Sequence, residues 1–226
     1  MLDGTPIVLL ISDGGSTQNR KTGKMWQTYI LRQDMVPAAA YIQGLDQAVC
    51  GDCPLRGKYS GGNGACYVNV AFGPGTVWRA WQRGNAAMFD PAKLSKGGML
   101  RLGAYGDPSA VPAEVWAPLV AASAAHTGYT RQWDKPWAQA FRAWCHASCQ
   151  TEAEAAQAQA AGWKTFRVRP LQDSDRLPFE IVCPASAERG HMTTCSACLR
   201  CGGTDANRKG NVVITVHGSL ASALYA

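Results

Sequence analysis

The chain has 226 residues, of which 46% are hydrophobic and 17% charged, a composition that excludes intrinsic disorder and supports one large domain. The net charge is +6, but the basic residues are scattered, so the charge allows nucleic-acid binding without indicating it. No apolar run approaches the roughly 20 residues that span a bilayer, and the apolar stretch near the N terminus is too short for a signal peptide. We therefore expect a soluble, cytoplasmic protein that does not bind membranes.

The N-terminal segment, residues 1–49, has a β-rich pattern. Pro6–Ile11 and Met25–Leu31 are each rich in apolar residues and predict two strands. The polar residues 14–23 between them end in a turn signal, so the two strands are expected to form a hairpin. Pro37–Gln43 predicts a short helix that ends before a glycine.

The middle of the chain alternates between strand and helix patterns about three times. The predicted strands are Met99–Tyr105, His126–Thr130, Trp144–Ser148 and Lys164–Val168. The predicted helices are Ala113–Ala124, Pro136–Arg142 and Thr151–Ala161. In the last helix Thr151 and Glu154 have the spacing of a capping box. This alternation predicts a parallel sheet or part of a βα barrel, and it is too short for the eight units of a full barrel.

Two more strands, Phe179–Val182 and Val212–Val216, are predicted near the C terminus. The expected fold class is therefore α/β, with a partial βα barrel or parallel-sheet core, an N-terminal β hairpin and two cysteine-rich metal-binding loops. We expect a single domain over residues 1–226. Its further segments are a first cysteine segment at 50–98, the βα repeats at 99–182, and a C-terminal cysteine cluster with the final strand at 183–226.

Nine cysteines are many for a chain with no export signal. A disulfide framework is the first alternative, but the odd count and the recurring CxxC spacing favour metal ligation. Seven of the nine form two groups. The first cysteine group is Cys50, Cys53 and Cys66. The second cysteine group is Cys183, Cys195, Cys198 and Cys201. The other two, Cys145 and Cys149, are interpreted as small buried hydrophobic residues.

The CxxCxxC run of the second group places three thiolates around one centre, and Cys183 is the natural fourth ligand. Such a set forms a closed site, whereas the three sulfurs of the first group leave one metal position open. The spacing favours one or two iron–sulfur clusters of the 4Fe-4S type. Zinc stays open as the alternative metal, including a three-cysteine site completed by His191 or His217.

The strand Met99–Tyr105 leads into the turn Gly106-Asp107-Pro108. A carboxylate at the carboxyl end of a parallel strand occupies a usual functional position, and Gly106 permits close approach of a ligand to the backbone. The alternative is that Asp107 caps a turn. No catalytic residue can be assigned from these patterns, and the sequence leaves open whether the protein is an enzyme.

Together these segments resemble a group of cysteine-rich phage and mobile-element proteins. The resemblance spans about Asn19 to His217. It rests on the segments Cys50–Arg56, Ala65–Tyr67, Leu100–Pro108, Cys183–Ser186 and Cys195–Cys201. Members of that group are similar in outline to radical S-adenosylmethionine enzymes. Those enzymes have a partial βα barrel, a three-cysteine four-iron cluster after the first strand, and a Gly-Gly-Glu-Pro-type turn that holds the amine of the methionine; some carry an auxiliary cluster near the C terminus.

The resemblance implies that the first cysteine group holds the open cluster and that the second holds the auxiliary cluster. It also implies that Gly106, Asp107 and Pro108 bind the cofactor S-adenosylmethionine. This chain departs from the pattern in two ways: its first cysteines are spaced CxxC with a third thirteen positions later, and Asp107 stands where glutamate is usual. A phage-type protein is expected in the cytoplasm of the host cell.

A zinc-stabilised module that binds nucleic acid or a host protein is the competing hypothesis. Its metal would be structural and would hold loops that a small core cannot hold alone. The basic loop Asn19–Lys24 and exposed tryptophans would then form the contact surface.

Overall fold

The computed structural model describes residues 3–13, 19–57, 61–206 and 210–217. Residues 14–18 of the predicted hairpin loop lie outside the described residues. The described chain builds an α/β fold around one eight-stranded sheet that is mostly parallel and does not close on itself. The expected α/β class is thus confirmed.

The eight strands follow the predicted positions closely. They are β1 (Ile7–Ser12), β2 (Met25–Arg32), β3 (Met99–Tyr105), β4 (Ala125–Thr130), β5 (His146–Cys149), β6 (Thr165–Arg169), β7 (Glu180–Val182) and β8 (Asn211–Thr215). Their order across the sheet is β1-β2-β3-β4-β5-β6-β8-β7. Strand β1 pairs antiparallel with β2, as a hairpin requires, and every other pairing is parallel.

The helices are short. They are α1 (Pro37–Gln43), α2 (Gln47–Cys50), α3 (Gly73–Gln82), α4 (Ala113–Ala122), α5 (Glu152–Ala160) and α6 (Cys195–Cys198). Shorter 3₁₀ segments cover Pro91–Lys93, Pro108–Ala110, Pro136–Ala143, Ala187–Arg189 and Gly203–Asp205. The capping box at Thr151 and Glu154 is present at the start of α5. The helix predicted at Pro136–Arg142 forms as a 3₁₀ helix instead.

The two faces of the sheet have different coverings. Strands β2 to β6 lie side by side in chain order, and successive right-handed crossovers of that kind put their helices on one face. The helix-covered core includes Leu100 and Leu102 of β3 with Trp116 of α4. A second, smaller core joins Phe166 and other β6 and β8 residues to cysteines of the second group. The opposite face of the sheet is therefore covered by the cysteine segments.

None of the described helices is long and apolar enough to cross a membrane.

His146 joins the start of β5 to the chain that follows the second cysteine group. Its ring is fully buried, Nδ1 accepts a hydrogen bond from the Gly203 N–H, and Nε2 lies 3.3 Å from the Gly210 carbonyl oxygen. His146 is thus a core histidine with both ring nitrogens hydrogen-bonded. Burial lowers the pKa of His146 to about 4, so the ring is neutral in the folded protein at neutral pH.

We predict that His146 makes the protein less stable as the pH falls from 6.5 towards 4. The unfolded chain takes up a proton in this window and the folded chain does not, so the proton stabilises the unfolded state. The shift of about 2.5 pKa units, from 6.5 to about 4, corresponds to about 3 kcal/mol of unfolding free energy. Urea denaturation of the parent and His146→Gln between pH 8 and 4.5 measures this. The variant should be less stable than the parent at pH 8, and its unfolding free energy should depend less on pH. Equal slopes of unfolding free energy against pH in the two proteins would contradict the assignment.

Candidate metal centres

The first cysteine group lies around one cleft at the carboxyl ends of the parallel strands. Cys50 ends α2, Cys53 follows in the next turn, and Cys66 comes from the far end of the same loop. The cleft has a volume of about 130 Å³, well above the roughly 10–15 Å³ that one water molecule requires. Residues 103–107, at the end of β3 and in the turn after it, form another wall of the same cleft.

Gly51 makes the tight turn after Cys50 possible. Its φ is +60°, and a Cβ atom there would lie 2.4 Å from the side-chain nitrogen of Gln132, in the loop after β4. A larger residue would push the turn away from the strand ends. The CxxC segment therefore packs directly on the edge of the sheet.

A buried ion pair between Arg56 and Asp46 holds the CxxC loop in place. Both Nε and Nη2 of Arg56 donate to Oδ1 of Asp46, at 2.9 and 2.8 Å. The same guanidinium donates to the carbonyl oxygens of Gly51 at 2.7 Å and Gly44 at 3.2 Å. Both side chains are almost fully buried. The pair thus fixes the loop between two cysteines, because it bonds to backbone on either side of Cys50.

The Gly106-Asp107-Pro108 turn is tied to the same loop. The Asp107 N–H donates to the carbonyl oxygen of Val49 at 2.7 Å, one residue before Cys50. Gly106 has a φ of +83°, and a Cβ atom there would lie 2.7 Å from Cβ of Ile30. Only glycine fits this crossing of backbones. The structure therefore brings the predicted turn and the first cysteine group together, across more than fifty positions of sequence.

The Asp107 carboxylate caps its own turn. Oδ1 accepts hydrogen bonds from the N–H and Oγ of Ser109 and from Oγ1 of Thr130, at 3.0, 2.9 and 2.7 Å. Oδ2 accepts one from the Arg131 N–H at 2.7 Å. The Asp107 side chain therefore caps its own turn, as the alternative interpretation of the sequence predicts. Asp107 still lines the cleft, and Oδ2 retains acceptor capacity.

Burial and nearby carboxylates both disfavour thiolates in the first group. Burial, together with neighbouring Cys66 and Asp107, raises the pKa of Cys53 to about 12. Burial also raises the pKa of Cys50, with Asp46 and Cys53 adding to the effect. A metal cation would reverse this penalty, because thiolates and carboxylates that repel one another are attracted to a common positive centre.

The second cysteine group lies against the cysteine-covered face of the sheet. Cys183 follows β7, with its N–H bonded to the Val213 carbonyl oxygen of β8 at 2.8 Å. The carbonyl oxygen of Cys201 accepts from the Gly128 N–H in β4 at 2.9 Å. All four cysteines line one small cavity floored by Thr127 and Tyr129 of β4.

The CxxCxxC turn has a local explanation. The Thr194 side chain caps α6 through the Ala197 N–H, so Cys195 and Cys198 share one helical turn. Leu199 then adopts a left-handed conformation with φ of +51°, which reverses the chain and returns Cys201 to the same cavity. The N–H of Cys195 donates to the carbonyl oxygen of Lys21 at 2.7 Å, which fastens this turn to the segment before β2.

Cations and a hydroxyl face the second group, in contrast to the first. Burial raises the pKa of Cys195, while Arg101 and Lys21 oppose that rise. The Tyr129 hydroxyl is hydrogen-bonded to the Cys201 thiol, a contact that favours the thiolate. The second group is thus the more electropositive of the two.

The donor set suits a thiophilic metal, since seven thiols surround two cavities. Within the described ranges, no three His, Cys, Asp or Glu side chains lie close enough to hold one metal ion. Neither His191 nor His217 lines the cavity shared by the four cysteines of the second group. His191 instead lies against the Ala185 carbonyl oxygen, and His217 stacks on Tyr67.

Other sequence interpretations can be checked directly. Cys145 and Cys149 are fully buried in the helix-covered core, as expected of small hydrophobic residues. The residues that the motifs missed are Arg56, Lys21, Arg101 and Tyr129. Arg56 lies in the loop that carries the first cysteine group, whereas the other three reach the site only through sheet register and loop packing.

The comparisons with known proteins give no relatives. No known protein family matches the chain, and neither a curated protein nor a solved structure matches it. The geometry of the two cysteine groups therefore carries the functional argument.

We predict that Asp46→Asn destabilises the protein by about 3–5 kcal/mol, because it leaves the buried Arg56 guanidinium without a charged partner. Asp134→Asn is the matched control. Asp134 pairs with Lys135 at 3.3 Å and is 52% exposed, so its loss should change stability by less than about 1 kcal/mol. Urea unfolding of both variants measures the difference, and similar losses would contradict the role of the buried pair.

Proposed function

We propose that this chain is an iron–sulfur protein of the phage type, and that it acts as a divergent radical-S-adenosylmethionine-like enzyme. One observation carries the proposal. Cys50, Cys53 and Cys66 share a cleft with the turn that contains Gly106 and Asp107, and this cleft opens at the carboxyl ends of parallel strands. That edge is where α/β proteins place their ligands.

Cys50, Cys53 and Cys66 would hold three irons of a 4Fe-4S cluster and leave the fourth iron facing the cleft. Gly106 and Asp107 would form the wall that receives the amine end of S-adenosylmethionine, whereas Pro108, which was also expected to bind this cofactor, does not line the cleft and would only fix the turn. When bound there, the cluster and this cofactor supply one-electron chemistry that no protein side chain provides. The absence of a side chain on Gly106 admits close approach, and the bonds from Thr130 and Arg131 hold the Asp107 carboxylate in one orientation.

The second cysteine group would hold a closed cluster, because all four of its cysteines line one cavity. The triple-knuckle spacing favours iron–sulfur over zinc at this position. Its surroundings add hydrogen bonding from Tyr129 and positive charge from Lys21 and Arg101, the kinds of outer interaction that tune the potential of a cluster.

The competing binding-module hypothesis draws no support from the predicted contact surface. Lys21 of the basic loop faces the second cysteine group and is partly buried, although Arg20 and Lys24 are exposed. Of the eight tryptophans, only Trp137 is exposed, so the expectation of several exposed tryptophans is wrong. Nucleic acid or a host protein remains a proposed partner without a defined surface.

We predict that S-adenosylmethionine changes the electron paramagnetic resonance signal of the anaerobically purified, reduced protein. Cys53→Ala should abolish the cofactor-dependent change and keep the signal of the second centre. Cys149→Ala is the matched control, since it removes a cysteine sulfur that lies outside both groups and should leave both signals intact. A signal that the cofactor does not alter would defeat the enzyme proposal. A colourless protein containing zinc and no sulfide would defeat the iron–sulfur proposal.

A further inference from the structure

A third cavity lies between the two cysteine groups, on the cysteine-covered face of the sheet. It has a volume of about 30 Å³. Most of its exposed wall area is apolar, including Phe166 and Val168 of β6 and Val216 after β8, and its cationic side chains are Lys21 and Arg101. Whole small molecules occupy pockets of roughly 300–1,000 Å³, so a cavity of this size suits only one end of a ligand.

Two cations reach this cavity from different parts of the chain. Arg101 comes from β3 and Lys21 from the segment that fastens the CxxCxxC turn. The Arg101 guanidinium donates from Nη2 to the Tyr67 hydroxyl at 3.3 Å, and its buried Nε has no partner. The Lys21 ammonium lies 3.5 Å from Nε2 of His217. Across the described ranges, neither cation forms an ion pair with a carboxylate.

Two largely unpaired cations in one apolar cavity are unfavourable unless an anion accompanies them. Burial lowers the pKa of Lys21, and thiolates of the second group oppose that fall, so part of the compensation comes from Cys183 and Cys195. Cys195 attracts Arg101 as well, but the buried Nε of Arg101 has no hydrogen-bond partner, so the guanidinium keeps a donor for a ligand. A guanidinium presents its N–H groups as a planar fork, which matches the two oxygens of a carboxylate or phosphate.

The cavity also adjoins the cleft of the first cysteine group. Leu55, Tyr67 and Tyr129 line both spaces. A molecule with its anionic end between Lys21 and Arg101 would therefore extend past Tyr129 towards Cys50, Cys53 and Cys66.

We propose that Lys21 and Arg101 bind the anionic group, a carboxylate or phosphate, of a small-molecule substrate whose other end lies in the cleft of the first cysteine group. The identification of this molecule as a substrate rests on the proposed function. The binding of the anion does not, and it is measurable on protein without any metal.

The test is a thermal-melt titration with acetate and, separately, with inorganic phosphate, at an ionic strength held constant with sodium chloride. Either anion, if it binds the native state alone, should raise the melting temperature of the parent in a saturable way. Arg101→Gln and Lys21→Gln should each require at least tenfold more anion for the same rise. Arg20→Gln is the matched control, because Arg20 adjoins Lys21 in sequence but is exposed and lies outside the cavity. The stronger of the two anions identifies the chemical class.

Arg101→Lys keeps the positive charge and loses the planar guanidinium, so it should bind the anion more weakly than the parent and more tightly than Arg101→Gln. It also replaces the glutamine variant if that variant fails to fold. Iron, sulfide and zinc analysis of every variant separates the two proposals. Saturable, Arg101-dependent binding by metal-free protein would uphold the anion site even if the proposed function failed. No saturable effect in the parent would overturn the inference. Variants that bind the anion as tightly as the parent but lose metal would also overturn the inference, because Lys21 and Arg101 would then act only on the cysteines.

Discussion

The arrangement of the candidate site depends on the hydrogen bonds of Asp107. Its carboxylate accepts from Ser109, Thr130 and Arg131, and its N–H donates to the Val49 carbonyl oxygen next to Cys50. Burial raises the pKa of Asp107, and the hydrogen bonds it accepts oppose that rise. This one residue therefore joins the end of β3, the end of β4 and the helix that presents Cys50. Because these bonds are buried, a change at Asp107 would disturb the cysteine loop as well as the turn.

The two cysteine groups differ in their electrostatic surroundings, and this difference would orient a charged ligand between them. Carboxylates, Asp46 and Asp107, surround the first group, whereas cations, Lys21 and Arg101, face the second. Positive metal charge is thus favoured at the first group, and electron-rich ligands are favoured beside the second. A substrate that carries an anionic end would be oriented by this difference, with its anion held away from the carboxylates.

Much of the fold is predictable from the sequence because its signals are local. The strand Met99–Tyr105 and the helix Pro37–Gln43 have the predicted bounds, and the capping box at Thr151 marks the start of α5. The open sheet agrees with the small number of βα units, too few for a full barrel, whereas the order β6-β8-β7 at its edge does not follow from any one segment. The 3₁₀ geometry at Pro136–Ala143 likewise does not follow from its apolar spacing.

The candidate site likewise has residues that the sequence predicts and residues that it does not. The seven cysteines and the Gly106-Asp107-Pro108 turn are visible as motifs, because each has a short, recognisable spacing. Lys21, Arg101 and Tyr129 are not. Arg101 lies beside Thr127 through the register of β3 with β4, and Lys21 reaches the site by a backbone bond to Cys195, 174 positions away. Neighbours made by long-range pairing leave no local pattern in a single sequence.

The central claim is that both cysteine groups hold iron–sulfur clusters. Anomalous diffraction from crystals of anaerobically purified protein, collected on both sides of the iron edge and of the zinc edge, tests it most directly. The account predicts two separate multi-iron peaks. One would lie among Cys50, Cys53 and Cys66, and the other among Cys183, Cys195, Cys198 and Cys201. Single-atom peaks that appear only above the zinc edge, or no peak between the cysteines of either group, would contradict it.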